Sequence, residues 1–101
     1  MKKLFVYGTL RDSDVQLSVI GRNPDAAEDS LDNYTLSEVK IDNEYYPAIR
    51  QGNGKIYGLV LKITEEELEK IDRYEELEKG FYERVEVKLN SGTKAYAYIK
   101  K

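Results

Sequence analysis

The chain has 101 residues with 16 Lys/Arg against 19 Asp/Glu, net −3, which suits one domain and offers no basic stripe to a nucleic acid. Hydrophobic residues make up 41%, enough for a packed interior and too many for general disorder. Cysteine and histidine are both absent, which excludes disulfides, thiolate nucleophiles, Cys/His zinc sites and a histidine base. Acid–base chemistry is left to carboxylates, lysines or tyrosines.

In chain order, residues 2–7 read as a strand. The opening MKKLFVYGTL begins like a secretory leader, but Arg11 and Asp12 follow at once, and no later apolar run approaches the roughly 20 residues of a membrane span. A soluble, cytoplasmic protein is expected, and a monomer, for want of an obvious apolar patch. Val15 to Ile20 suits a short helix, with Asp14 as N-cap and Gly21 as its stop, and Pro24 breaks the chain. Ala27 to Leu31 and Tyr34 to Ile41 are strand candidates, and Asp42-Asn43 is a turn. Residues 45–50 are extended around Pro47, which has no donor and so belongs at an edge or bulge.

Gln51-Gly52-Asn53-Gly54 reads as a turn into the clearest strand, Lys55 to Ile63. Tyr57, Leu59, Leu61 and Ile63 fall on one face of that strand, with Ile56, Gly58 and Val60 on the other. Apolar groups on both faces imply a central strand covered on both sides. Thr64 with Glu67 forms a capping box, and Leu68, Ile71 and Tyr74 give the apolar stripe of a helix that frays over residues 75–80. Tyr82 to Leu89, the turn Asn90-Ser91-Gly92 and Lys94 to Lys100 make a closing hairpin. Ala95, Ala97 and Ile99 share one face of its last strand, Tyr96 and Tyr98 the other. The expectation is an α+β fold of six or seven strands with one or two short helices. A barrel or strongly curled sheet would manage the edges.

Four stretches carry chemistry when taken together: Tyr7-Gly8-Thr9-Leu10, Tyr46-Pro47-Ala48, Gly58-Leu59-Val60, and Ile71-Asp72-Arg73-Tyr74-Glu75-Glu76 followed by Tyr82-Glu83-Arg84. Singly, each has a plain structural reading: a tight turn at Gly8, an edge at Pro47, a solvated acidic face at Glu75–Glu78. Their order resembles the γ-glutamylcyclotransferase-like family, also called avirulence-induced-gene-like, over residues 4 to 100.

That resemblance implies a small mixed β-barrel flanked by one or two short helices, with residues 1–101 as one such domain. It also implies a cavity between the Tyr7–Leu10 loop and the helix end, no metal or cofactor, and cleavage of a small γ-glutamyl compound to 5-oxoproline and a free amine. Glu75 matches the family's catalytic glutamate. Tyr7, Gly8, Thr9, Leu10 and Tyr82 match its substrate-binding positions, the loop acting through backbone amides. The chemistry suits a chain without histidine, because the substrate carries its own nucleophile, the α-amino group, and one carboxylate with a raised pKa can serve as base and then acid.

Arg84 has two readings, an ion pair with Asp72 or a ligand contact. Arg11 either steers an anionic substrate or is a plain surface residue. The family glycine after the glutamate is Glu76 here. If that site needs a left-handed backbone, the cost is roughly 1 kcal/mol. A second carboxylate there could also raise the Glu75 pKa or act as a rival base. The alternative function is a non-catalytic module that binds a small carboxylated ligand in the same cavity.

Overall fold

Two long strands dominate the computed structural model, which describes residues 1–101. Strand β1 covers Lys2–Val6, β2 Ala26–Ile41, β3 Glu44–Ile63, β4 Tyr82–Lys88 and β5 Lys94–Lys100. Helix α1 is Ser13–Ile20, helix α2 is Glu65–Tyr74, and 3₁₀ turns occupy Thr9–Arg11 and Leu77–Lys79. The sheet runs β2-β3-β1-β5-β4, antiparallel except where β1 meets β5 at Leu4 and Tyr96.

Five strands replace the six or seven expected, because two expected breaks are not breaks. Asn33, at φ 68, marks a register shift inside one continuous β2, where two strands were expected. Opposite it, Gly52-Asn53-Gly54 lies between the Asp32–Lys55 and Tyr34–Gln51 pairs, so three residues of β3 face the single Asn33. This is a bulge, and the expected turn at 51–54 is absent. A Cβ on Gly54 would lie 2.7 Å from the Tyr34 carbonyl oxygen, so only glycine lets the strands approach there. Turn and bulge draw on the same residues, and local sequence does not separate them. The true reversal is Asp42-Asn43, with φ 51 and 69, the left-handed pair that suits a two-residue hairpin loop.

Strand β3 is central over Leu59–Val60–Leu61, where it pairs with both β1 and β2. Its alternating faces feed two apolar clusters. Leu61 and Ile63 join Leu4, Val6, Ile20, Leu68 and Ile71 beneath the helices. Ile56 and Val60 join Phe5, Leu31, Ile49, Val87, Ala95 and Ala97 in a cluster to which no helix contributes. Burial of that face therefore requires the sheet to curl over itself. The curl is held at its seam, where the Asn90 N–H donates to the Ser30 carbonyl at 2.9 Å and the Ser91 hydroxyl donates to Asp29. The result is a mixed five-stranded half-barrel with two helices on its outer side.

Gly58 lies where β1 ends against β3. A Cβ there would stand 2.2 Å from the Val6 carbonyl oxygen and 2.9 Å from the Phe5 ring, so glycine alone lets the end of β1 reach its place. Helix α1 begins earlier than expected: Asp12, not Asp14, is its N-cap, its carboxylate accepting from the Asp14 N–H at 2.8 Å. The capping box on α2 is present in both halves. Glu67 serves it while also holding Arg22 through two hydrogen bonds of 2.6 and 2.7 Å, which lowers its pKa to about 2. No helix is long and apolar enough to cross a membrane.

Candidate active site

The loop after β1 is fixed from below. Leu10 is buried in the cluster under the helices, and the Gln16 side-chain amide of α1 donates to the Leu10 carbonyl at 2.8 Å. The chain turns by 3₁₀ bonds from Arg11 N–H to Gly8 and from Asp12 N–H to Thr9. These use carbonyls. The N–H groups of Gly8, Thr9 and Leu10 donate to no protein acceptor among the turn and loop bonds. Gly8 has φ −111, so no left-handed turn requires it, and an added Cβ would meet only Pro47 at 3.7 Å. The space that a side chain would fill belongs to a cavity.

That cavity, of about 310 Å³, is lined by the whole stretch Phe5–Leu10 together with Ile41, Tyr46, Pro47, Tyr74, Glu75, Glu76, Tyr82 and Tyr98. All the residues matched to family site positions therefore meet at one place. Helix α2 delivers Glu75. Its N–H closes the last turn on the Ile71 carbonyl at 2.8 Å, and Glu76 then leaves the helix in a left-handed conformation, φ 54 and ψ 45. The Tyr74 hydroxyl and Thr9 Oγ1 share a hydrogen bond of 2.7 Å, tying helix end to loop.

No hydrogen bond or ion pair holds the Glu75 carboxylate. Burial alone pushes its pKa up to about 7. Glu76 does not contribute to that rise, because its carboxylate is turned to Lys79 at 2.9 Å. Glu76 lines the cavity but is engaged by a cation, which weakens its standing as a rival base. Three tyrosines surround Glu75. Tyr7 donates to the Tyr98 carbonyl at 2.5 Å, and Tyr82 donates to the Pro47 carbonyl at 3.0 Å. Tyr98 donates to Asp72 at 2.5 Å. Burial raises all three hydroxyls, Tyr82 to about 12. Tyr82 lines the cavity, and its hydroxyl pins the strand segment around Pro47 that forms the opposite wall.

Arg84 pairs with Asp72, the first of its two readings. Arg11 is exposed, its Nε donating to the Gly8 carbonyl at 3.2 Å, and does not line the cavity. Ile41 and Tyr98 carry no sequence signal that marks them as site residues, whereas Tyr46 and Pro47 belong to the Tyr46-Pro47-Ala48 stretch, to which the sequence alone attaches no site role. The alternation along β5 does place Tyr96 and Tyr98 on the helix-facing side. No three acidic side chains converge to hold a metal ion.

A family model described as gamma-glutamyl cyclotransferase, AIG2-like, matches residues 4–101. AIG2-like protein C of Arabidopsis thaliana is 36% identical over 88 residues, covering 85% of this chain and 48% of that protein. AIG2-like protein D of the same plant is 35% identical over 111 residues, covering 100% of this chain and 70% of that protein. The chain thus spans about half the length of the first relative. A solved structure of a gamma-glutamyl cyclotransferase superposes with a TM-score of 0.83 at 19% identity, over 99% of this chain and 66% of that one, a likeness of fold. On the strength of the match across residues 4–101, the chain belongs to the gamma-glutamyl cyclotransferase, AIG2-like family.

Proposed function

We propose that the protein is a γ-glutamyl cyclotransferase that releases 5-oxoproline and a free amine from a small γ-glutamyl compound. The observation that carries this is Glu75: a carboxylate with no protein partner and a pKa near 7, in one cavity with the Gly8–Leu10 amides. Ionised Glu75 takes a proton from the substrate's α-ammonium. The freed amine attacks the γ-carbonyl carbon, the new C–N bond closes a five-membered ring, and the carbonyl oxygen takes up negative charge. Ring closure within one molecule gains from proximity. Glu75 returns its proton to the leaving nitrogen, the old C–N bond breaks as the tetrahedral centre collapses, and the re-ionised Glu75 takes the second proton from the ring nitrogen, which leaves neutral 5-oxoproline, and hands it to the departing amine. The loop amides offer donors to the developing oxyanion or to the substrate's α-carboxylate.

The test is 5-oxoproline release from a panel of γ-glutamyl amines and dipeptides, with wild type and Glu75→Gln side by side. Release by the wild type, falling at least about 10²-fold in the variant, is expected when a positioned acid–base group is lost. Equal release from both would move the base elsewhere. Binding of a panel compound without release from either would replace cyclotransfer with the binding module.

A further inference from the structure

Two hydrogen bonds leave Tyr98 in opposite directions, and they reach the two halves of the site. Its carbonyl oxygen accepts from the Tyr7 hydroxyl at 2.5 Å, one residue before Gly8. Its own hydroxyl donates to Asp72 Oδ1 at 2.5 Å. Asp72 lies in the last turn of α2, three positions before Glu75, and its other oxygen takes Arg84 from β4. Tyr98 is 4% exposed and packs in the cluster under the helices, so its own position is set by the core. The helix end is also held by Ile71, buried in the same cluster, and by Arg84 on Asp72, while the Tyr74–Thr9 bond joins two exposed groups.

We propose that Tyr98 is a positioning residue for the reaction: it spaces the helix end that carries Glu75 from the amide loop, holding the first through Asp72 and the second through Tyr7. This rests on the cyclotransferase reading for its activity arm, though the geometry is independent of it. The Asp72–Arg84 pair gives the clamp a second property. The pair carries no net charge, and burial alone accounts for the raised Glu75 carboxyl. The other groups facing Glu75 are the hydroxyls of Tyr7 and Tyr82. Glu76 is taken by Lys79, and Tyr46 at the rim is hydrogen-bonded to Glu44.

The experiment pairs two readouts on wild type, Tyr98→Phe and Tyr7→Phe. One is kcat and KM for 5-oxoproline release. The other is the titration midpoint of the Glu75 side-chain carboxyl carbon by NMR in the absence of substrate. Tyr98→Phe keeps the ring in the core and removes only the hydroxyl. The expected result is a fall in kcat of about tenfold or more with KM within about twofold, as for a reacting group misplaced by a fraction of an ångström. The Glu75 midpoint is expected to drop from about 7 towards 4.5 as the loosened helix end admits water. Tyr7→Phe, which cuts the other arm, should lower kcat while leaving the midpoint nearer the wild-type value. A kcat within twofold of wild type in folded Tyr98→Phe, or an unmoved midpoint, overturns the proposal. Should Tyr98→Phe fail to fold, Asp72→Ala combined with Arg84→Ala carries the same test, because it removes the acceptor of the Tyr98 hydroxyl together with its counter-charge and leaves no unpaired cation to shift the midpoint. An unmoved midpoint there is equally fatal. A wild type without activity defeats the cyclotransferase reading alone, and the midpoints still decide the clamp.

Discussion

Replacing Glu75 by glutamine should stabilise the protein, by an amount that depends on pH. In the fold the Glu75 carboxyl titrates near 7 instead of 4.5, because the ionised form loses water and gains no protein donor. Below pH 4.5 the group is protonated in both folded and unfolded chains, and its burial carries no charge penalty. Between 4.5 and about 7 the unfolded chain ionises first, so stability falls as pH rises. Above pH 7 both states are ionised and the penalty is complete. The gap, at about 1.4 kcal/mol per pH unit, comes to roughly 3 kcal/mol, an upper figure because the carboxylate keeps part of its surface towards the cavity. Glutamine has the same shape without the charge. Urea unfolding of wild type and Glu75→Gln at pH 4 and pH 8 checks this. The variant should match wild type at pH 4 and exceed it by about 2–3 kcal/mol at pH 8, which for a domain this size is a melting-point rise of about 10 °C. Equal stabilities at pH 8 would mean that the carboxylate is solvated in the fold, and the case for a raised base would collapse with it.

Two further substitutions probe the parts that position the site. Gly58→Ala forces a Cβ against backbone at the Val6 carbonyl, so β1 must shift at its site end. A loss of about 2–3 kcal/mol in denaturant unfolding, with impaired 5-oxoproline release, is expected, and wild-type stability would contradict the close approach. Glu76→Gly relieves a left-handed side chain and should raise stability by about 1 kcal/mol, less whatever the exposed Lys79 pair contributes. A loss of stability on that change would show that the ion pair outweighs the backbone strain.

Much of the fold was legible where the signal was local. The capping box of Thr64 and Glu67, the Asp42-Asn43 reversal and the face alternation of β3 and β5 each depend on residues within a few positions of one another. Glu75 was legible only through the order of several motifs, since nothing in its neighbours separates it from the other acids around it. Failures came where a distant partner decides. Gly52-Asn53-Gly54 has turn composition, and only pairing with β2 across Asn33 makes it a bulge. Asp12 and Asp14 are equally good caps by residue type, and the start of the helix selects between them. Tyr98 reads as one more half-buried strand aromatic until Tyr7, Asp72 and Arg84 are brought to it by the curl of the sheet.

The chain's path through the sheet also orders its assembly in time. Strands β2 and β3 are neighbours in sequence and can zip from their two-residue loop with little entropy lost per new contact. The parallel seam between β1 and β5 must instead close almost the full length of the chain, with Tyr7 and Tyr98 standing 91 positions apart. Non-local closures of this kind form late. The loop hangs from β1 and its anchor from β5, so a molecule with its long hairpin already zipped still has no site. Amide hydrogen exchange along this seam therefore reports the free energy with which the geometry of the site is lost.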